Sequence, residues 1–165
     1  MPAASIPANA PLVAPAERLH FLHVGETVLS RPLTALEVWD ISTAQNLPFL
    51  PMAFRIRDAI SGLFGVAPIR GLQATRPAHP KVGDRLAFFT VAEVRDDLLN
   101  LVVRDGHLDV MNAITTDGCR VQVTASVRVH NLFGHIYMLP VRPAHRLIVW
   151  AMLRRLKTVV AAEAG

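Results

Sequence analysis

The chain has 165 residues, 52% hydrophobic and 18% charged, enough to bury one core and too apolar for a disordered chain. Its seventeen Lys and Arg against thirteen Asp and Glu give a net charge of +4, but the basic residues are scattered and aromatics make up only 6%, which argues against a nucleic-acid surface. The single cysteine, Cys119, excludes an internal disulfide and a cysteine-rich metal site.

Residues 1–17 are rich in Ala and Pro and have no basic residue ahead of their apolar positions, so they lack the form of a secretory signal and read as a disordered tail. One domain is expected over 18–160, with a second disordered tail at 161–165. Residues 18–29 fit a first strand, ended by Ser30-Arg31-Pro32. Thr34 can cap a helix in which Ala35, Val38, Trp39 and Ile41 recur at helical spacing. Leu47-Pro48 through Pro51 breaks that run before a second short helix, 52–64, stopped by Gly65. A loop follows over 68–83, then strands at 85–94 and 98–104, separated by Arg95-Asp96-Asp97.

Residues 105–130 alternate with period two on both sides of Asp117-Gly118, a preferred pair for a two-residue type I′ turn. That turn sets Leu108 opposite Val127, Val110 opposite Ala125, Asn112 opposite Val123 and Ile114 opposite Val121. Burying a Val, Leu or Ile is worth roughly 1.5–3 kcal/mol and an unpaired buried charge costs more, so this side faces the core. The other side sets Asp105 opposite His130, His107 opposite Arg128 and Asp109 opposite Ser126, and reads as solvated. His107, Asp109 and Arg128 become a candidate polar site if a partner covers that face. Metal binding is not expected there, because strand side chains at i, i+2 stand parallel, about 6.6–7 Å apart. Ser61 and Ser126 lack a nucleophile motif.

Asn131 is a candidate cap for the final helix. Pro140 and Pro143 predict either a start near Pro143 or a kink there after a shorter piece, 133–139. Val141, His145, Ile148, Val149, Met152, Leu156, Val159 and Val160 form one stripe that should pack on the sheet, with Arg146, Arg154 and Lys157 opposite. His145 in that stripe is the best candidate for chemistry; the bland alternative is a hydrogen-bonded core histidine. The longest apolar run, 147–153, is too short to span a bilayer, so a soluble cytoplasmic protein without membrane or nucleic-acid partners is expected.

Strand, two helices, antiparallel strands and a long terminal helix is the order of the α+β helix-grip fold, a curved antiparallel sheet wrapped around its last helix. Three motifs add to that order: Asp105-Gly106-His107-Leu108-Asp109, then Val127 to Tyr137 containing His130-Asn131 and Gly134, then Val141-Arg142-Pro143-Ala144-His145-Arg146-Leu147-Ile148. Over about residues 35–156 they resemble a bacterial family, domain of unknown function 2867, with patterns D-x-H-L-D-F, V-x-x-H-N-x-x-G-x-x-Y and V-x-P-F-H-R-x-I. Gly106, Val110 and Ala144 stand where that family usually has Arg, an aromatic and Phe, which points to a larger cavity or a weaker ion pair. The resemblance implies similarity to the polyketide-cyclase, START and pollen-allergen superfamily, known as SRPBCC. Such a domain often follows a nicotinamide-binding domain, but no Gly-x-Gly-x-x-Gly is present, so no cofactor is expected.

The reading that follows is a binding module whose partner is a hydrophobic small molecule, held in a cavity between sheet and helix and met by His145, Tyr137, Met152 and Val149. The alternative is a cyclase, dehydratase or isomerase in which His145 moves a proton. A structural or protein-interaction subunit is the third reading, and a homodimer stays open.

Overall fold

Alternation of period two becomes antiparallel sheet and alternation of period 3.6 becomes helix in the computed structural model, which describes residues 5–43, 77 and 79–163. A single 3₁₀ turn, Ala16–Arg18, precedes β1 (Phe21–Val28) and α1 (Ala35–Thr43). The strands β2 (Arg85–Leu86), β3 (Phe89–Val94), β4 (Leu98–Arg104), β5 (Leu108–Asp117) and β6 (Arg120–Val129) lead into α2 (Leu132–Ala162). All six strands form one sheet, ordered β1-β6-β5-β4-β3-β2. The architecture is the expected α+β arrangement, an open antiparallel sheet with the long terminal helix against one face. The second short helix foreseen at 52–64 lies outside the described residues.

Thr34 caps α1 as expected, and Glu37 completes the pair: the Glu37 amide donates to Thr34 Oγ1 at 3.2 Å while Glu37 Oε2 accepts from the Thr34 amide at 2.7 Å. The strand foreseen at 85–94 is instead a tight hairpin in which Leu86 pairs with Phe89. Its first turn residue, Ala87, sits at φ +55°, a left-handed conformation that suits glycine better. Relief of about 1–2 kcal/mol of backbone strain, less about 0.4–1 kcal/mol for the freer unfolded chain, should make Ala87→Gly more stable by roughly 0.5–1 kcal/mol. Urea unfolding of the variant, with an unchanged m-value, checks this.

The long hairpin is where expected, with its register two residues away. Leu108 pairs with Val129, Asp109 with Arg128, Val110 with Val127 and Asn112 with Ala125. The turn residues are Gly118 and Cys119, and only Gly118 has a positive φ, +55°. That is the type II′ pattern, with glycine first, rather than type I′. A two-residue shift keeps every side chain on its face, so Val121, Val123 and Val127 are buried on the helix side while Gln122, Thr124 and Arg128 lie on the other.

That second face is not simply solvated. Ala113, Thr124 and Ser126 on it are almost inaccessible, because residues expected to form a loose tail run along it. The Val13 amide donates to Ser126 Oγ at 3.0 Å, Gln122 Nε2 to the Ser5 carbonyl at 3.4 Å, and Asn9 Nδ2 to Asp97 Oδ2 at 3.3 Å. A Pro/Ala-rich stretch has no periodic pattern of its own, so its docking is invisible until the sheet is built.

α2 is continuous through both prolines. Pro140 and Pro143 leave the carbonyls of Ile136 and Leu139 without their helical donors, and both residues are on the exposed side, where water can serve instead. Met138, Val149, Leu153, Leu156 and Val160 are buried. The expected stripe therefore holds, rotated slightly so that Leu153 is buried more deeply than Ile148 or Val159. The helix comes close to β1 at Gly25, where a β-carbon would lie 2.5 Å from Val149 Cγ1. No helix among the described residues is long and apolar enough to cross a membrane.

Candidate functional site

Three rows of side chains cross the helix-facing side of the sheet. Phe21, Val127, Val110 and Val103 form the first; His23, Ala125, Asn112 and Leu101 the second; Gly25, Val123, Ile114 and Leu99 the third. The third row belongs to a large apolar cluster with Val149, Leu153 and Leu156, whereas Phe21, Val127 and Val110 belong to a smaller one with Met138, Tyr137 and Val141. The middle row is a polar seam between them. His23 and Asn112 lie two strands apart, roughly 10 Å, with only the methyl group of Ala125 between them.

α2 sets His145 above this seam. Its position lies between Val141, which packs on the smaller cluster, and Val149, which belongs to the larger. The His145 ring meets Phe21 edge-on at 5.7 Å and His23 at 5.6 Å between centroids. His145 Nε2, His23 Nδ1 and Asn112 Oδ1 are all buried without a hydrogen-bonding partner. Buried polar atoms are paired in the great majority of cases, so three unpartnered ones on one seam single it out as the candidate site, although further buried polar atoms elsewhere among the described residues are unpartnered too.

Electrostatics follow from that burial. Burial first, and the neighbouring His23 second, hold His145 down to about 4 from its ordinary 6.5. His23 is lowered as well, by burial and then by the Arg146 guanidinium. At neutral pH His145 is thus uncharged, with one ring nitrogen a donor and the other an acceptor. An imidazole held near 4 is a weak base, which suits orienting a ligand better than abstracting a proton.

The conspicuous sequence motifs do different work. Asp105 Oδ1 accepts from the amides of His107 at 2.7 Å and Leu108 at 2.9 Å, which makes residues 105–107 the β4–β5 turn rather than strand. The His107 carbonyl accepts from the His130 amide, and Asn131 Nδ2 lies 2.9 Å from His107 Nδ1. Asn131 Oδ1 accepts from the Gly134 amide at 3.0 Å, the expected helix cap. Together they latch the start of α2 onto the β4–β5 turn. The third motif is different, because it delivers His145 to the seam.

In the candidate polar face the pairing differs from that expected. Asp109 stands opposite Arg128, and its Oδ2 lies 3.2 Å from His130 Nε2. His107 is in the turn, with its ring 4.6 Å from that of Phe133. No Asp109–His107 acid/base pair forms, because the register and the turn separate them. Of the other expected residues, Val149 touches the sheet at Gly25 and Met152 packs against the larger cluster. Tyr137 packs on the smaller cluster, two turns before His145 and roughly 12 Å away along the axis. His23 and Asn112 were not singled out by sequence reasoning. Alternation alone puts His23 on one face of β1, but nothing local says that β1 pairs with β6 and brings that face under His145.

An open groove of about 820 Å³ lies elsewhere, at the hairpin tip, lined in part by Glu37, Asp96, Asp97, Asp117 and Arg120. Two of its carboxylates are already engaged, Glu37 in the α1 cap and Asp97 with Arg95 and Asn9. Among the described residues no group of three side chains is arranged to hold a metal ion.

The model of a family described as a protein of unknown function (DUF2867) matches residues 15–152, which include the sheet, the latch and His145. No curated protein and no solved structure matches the chain.

Proposed function

The chain belongs to the DUF2867 family of proteins of unknown function, and from that premise we propose that it binds a hydrophobic small molecule between the sheet and α2, in the manner of a helix-grip protein similar to the SRPBCC superfamily. The observation that carries this reading is the polar seam, where His145 Nε2, His23 Nδ1 and Asn112 Oδ1 are buried and unpartnered. Val103, Val110, Tyr137 and Val141, all only partly buried, offer an apolar bed beside the seam. The ligand's apolar body rests there, and its polar end meets the two histidines and the asparagine. Because both imidazoles are pushed towards the neutral form, that end is an uncharged group such as a hydroxyl, carbonyl or amide.

Titration of the fluorescent dye Nile red into the protein tests the reading. His145→Ala should weaken dye or ligand binding about tenfold or more, the cost of leaving a buried polar group unpaired. A lower melting temperature with unchanged affinity would instead make His145 a core residue only.

The second reading, a cyclase, dehydratase or isomerase, is favoured by one observation: His145 does not stand alone, since a second imidazole, His23, meets it at 5.6 Å. Recovering the bound molecule after incubation separates the two. Unchanged ligand supports binding, and conversion that stops in both His23→Phe and His145→Phe supports proton transfer.

A further inference from the structure

The outward face of α2 carries Leu132, Ile136, Leu139, Leu147 and Trp150, each half exposed or more. With Pro143 they fall within a sector of about 80° at 100° per residue, centred roughly 115° around the helix from the buried Met138, Val149, Leu153, Leu156 and Val160. An exposed apolar stripe five turns long is more than scattered surface leucines, and such patches mark contact surfaces. Its chemistry is one-sided. The same line continues into Arg154 and Lys157, and the Arg154 guanidinium lies 5.4 Å over the Trp150 ring. Arg146, also exposed, borders the stripe. The helix as a whole has Arg142, Arg146, Arg154, Arg155 and Lys157 and not one Asp or Glu.

We propose that this face docks, lying flat, on a membrane surface rich in anionic lipid. A tryptophan and several leucines flanked only by cations match the two parts of such an interface, with the side chains among the acyl chains and the guanidinium and ammonium groups at the phosphates. A second copy of the chain fits less well, because the two helices would bring cations together with no carboxylate from either to offset them. The stripe residues are half exposed or more and none is among those α2 buries on the sheet, so docking leaves the fold and the polar seam as they are.

Flotation with vesicles of phosphatidylglycerol, and separately of phosphatidylcholine, tests the proposal. The intact protein should float with the anionic vesicles, not with the neutral ones, and the binding should weaken as salt is raised. Leu139→Asp and Leu147→Asp alter exposed positions and should keep the wild-type melting temperature while lowering vesicle affinity about tenfold or more. Failure of the folded protein to bind the anionic vesicles would overturn the proposal, as would binding that both substitutions leave unchanged. A dimer in sedimentation velocity that Leu147→Asp dissolves would assign the face to a second copy and equally overturn it.

Discussion

Gly134→Ala is expected to destabilise the protein by about 3 kcal/mol and lower its melting temperature by roughly 6–12 °C. A β-carbon at this position would lie 2.6 Å from the His107 carbonyl oxygen and 2.6 Å from Val129 Cγ1. Neither neighbour can yield cheaply, since the carbonyl is backbone already bound to the His130 amide and Val129 is buried in the sheet. The helix start must therefore move, which strips Gly134 from its Asn131 cap. Gly106 is the control: it lies in the same latch with nothing within 4 Å of its added carbon, so Gly106→Ala should change stability by less than about 0.5 kcal/mol. Thermal melts of the two variants side by side decide the matter. Equal melting temperatures would mean that the latch does not hold the helix.

The second large effect is on the pH dependence of stability. An unfolded histidine titrates near 6.5, whereas His145 in the fold is held to about 4. Between those values the unfolded chain binds a proton that the folded chain refuses, so stability is full above pH 6.5 and falls as the pH drops towards 4. At about 1.4 kcal/mol per pH unit the loss amounts to roughly 2–4 kcal/mol. His23 is shifted in the same direction and adds to it. Chemical unfolding of wild type and His145→Gln across this range isolates the contribution, because the carboxylates are common to both. The variant should show the flatter profile; parallel profiles would mean that His145 is not desolvated.

Much of the architecture is legible in the amino-acid sequence, and the parts that are not share one cause. Strict alternation around Gly118 decides which side of the hairpin faces α2, because a side chain's face depends only on parity. The register itself depends on whether Asp117 belongs to the turn or to the strand, and the choice of type II′ over type I′ moves it by two residues. Thr34 and Asn131 are legible as caps because capping is local chemistry. Helical phase places His145 under the helix, but the other unpartnered atoms on the seam come from β1 and β5, elements distant in sequence. The docking of residues 5–13 on the outer face is likewise a long-range pairing that composition cannot announce. The partners of His107 and Asp109 are equally illegible locally: the two are close together in sequence, while the fold uses one in a turn and pairs the other with His130.

Native mass spectrometry of the purified chain tests the central claim, ligand binding at the polar seam, most directly. The expected result is a species heavier than the 18.1 kDa polypeptide, carrying an uncharged, largely apolar small molecule whose occupancy falls in His145→Ala. Bare polypeptide in both proteins, with Nile red failing to bind either, would contradict it.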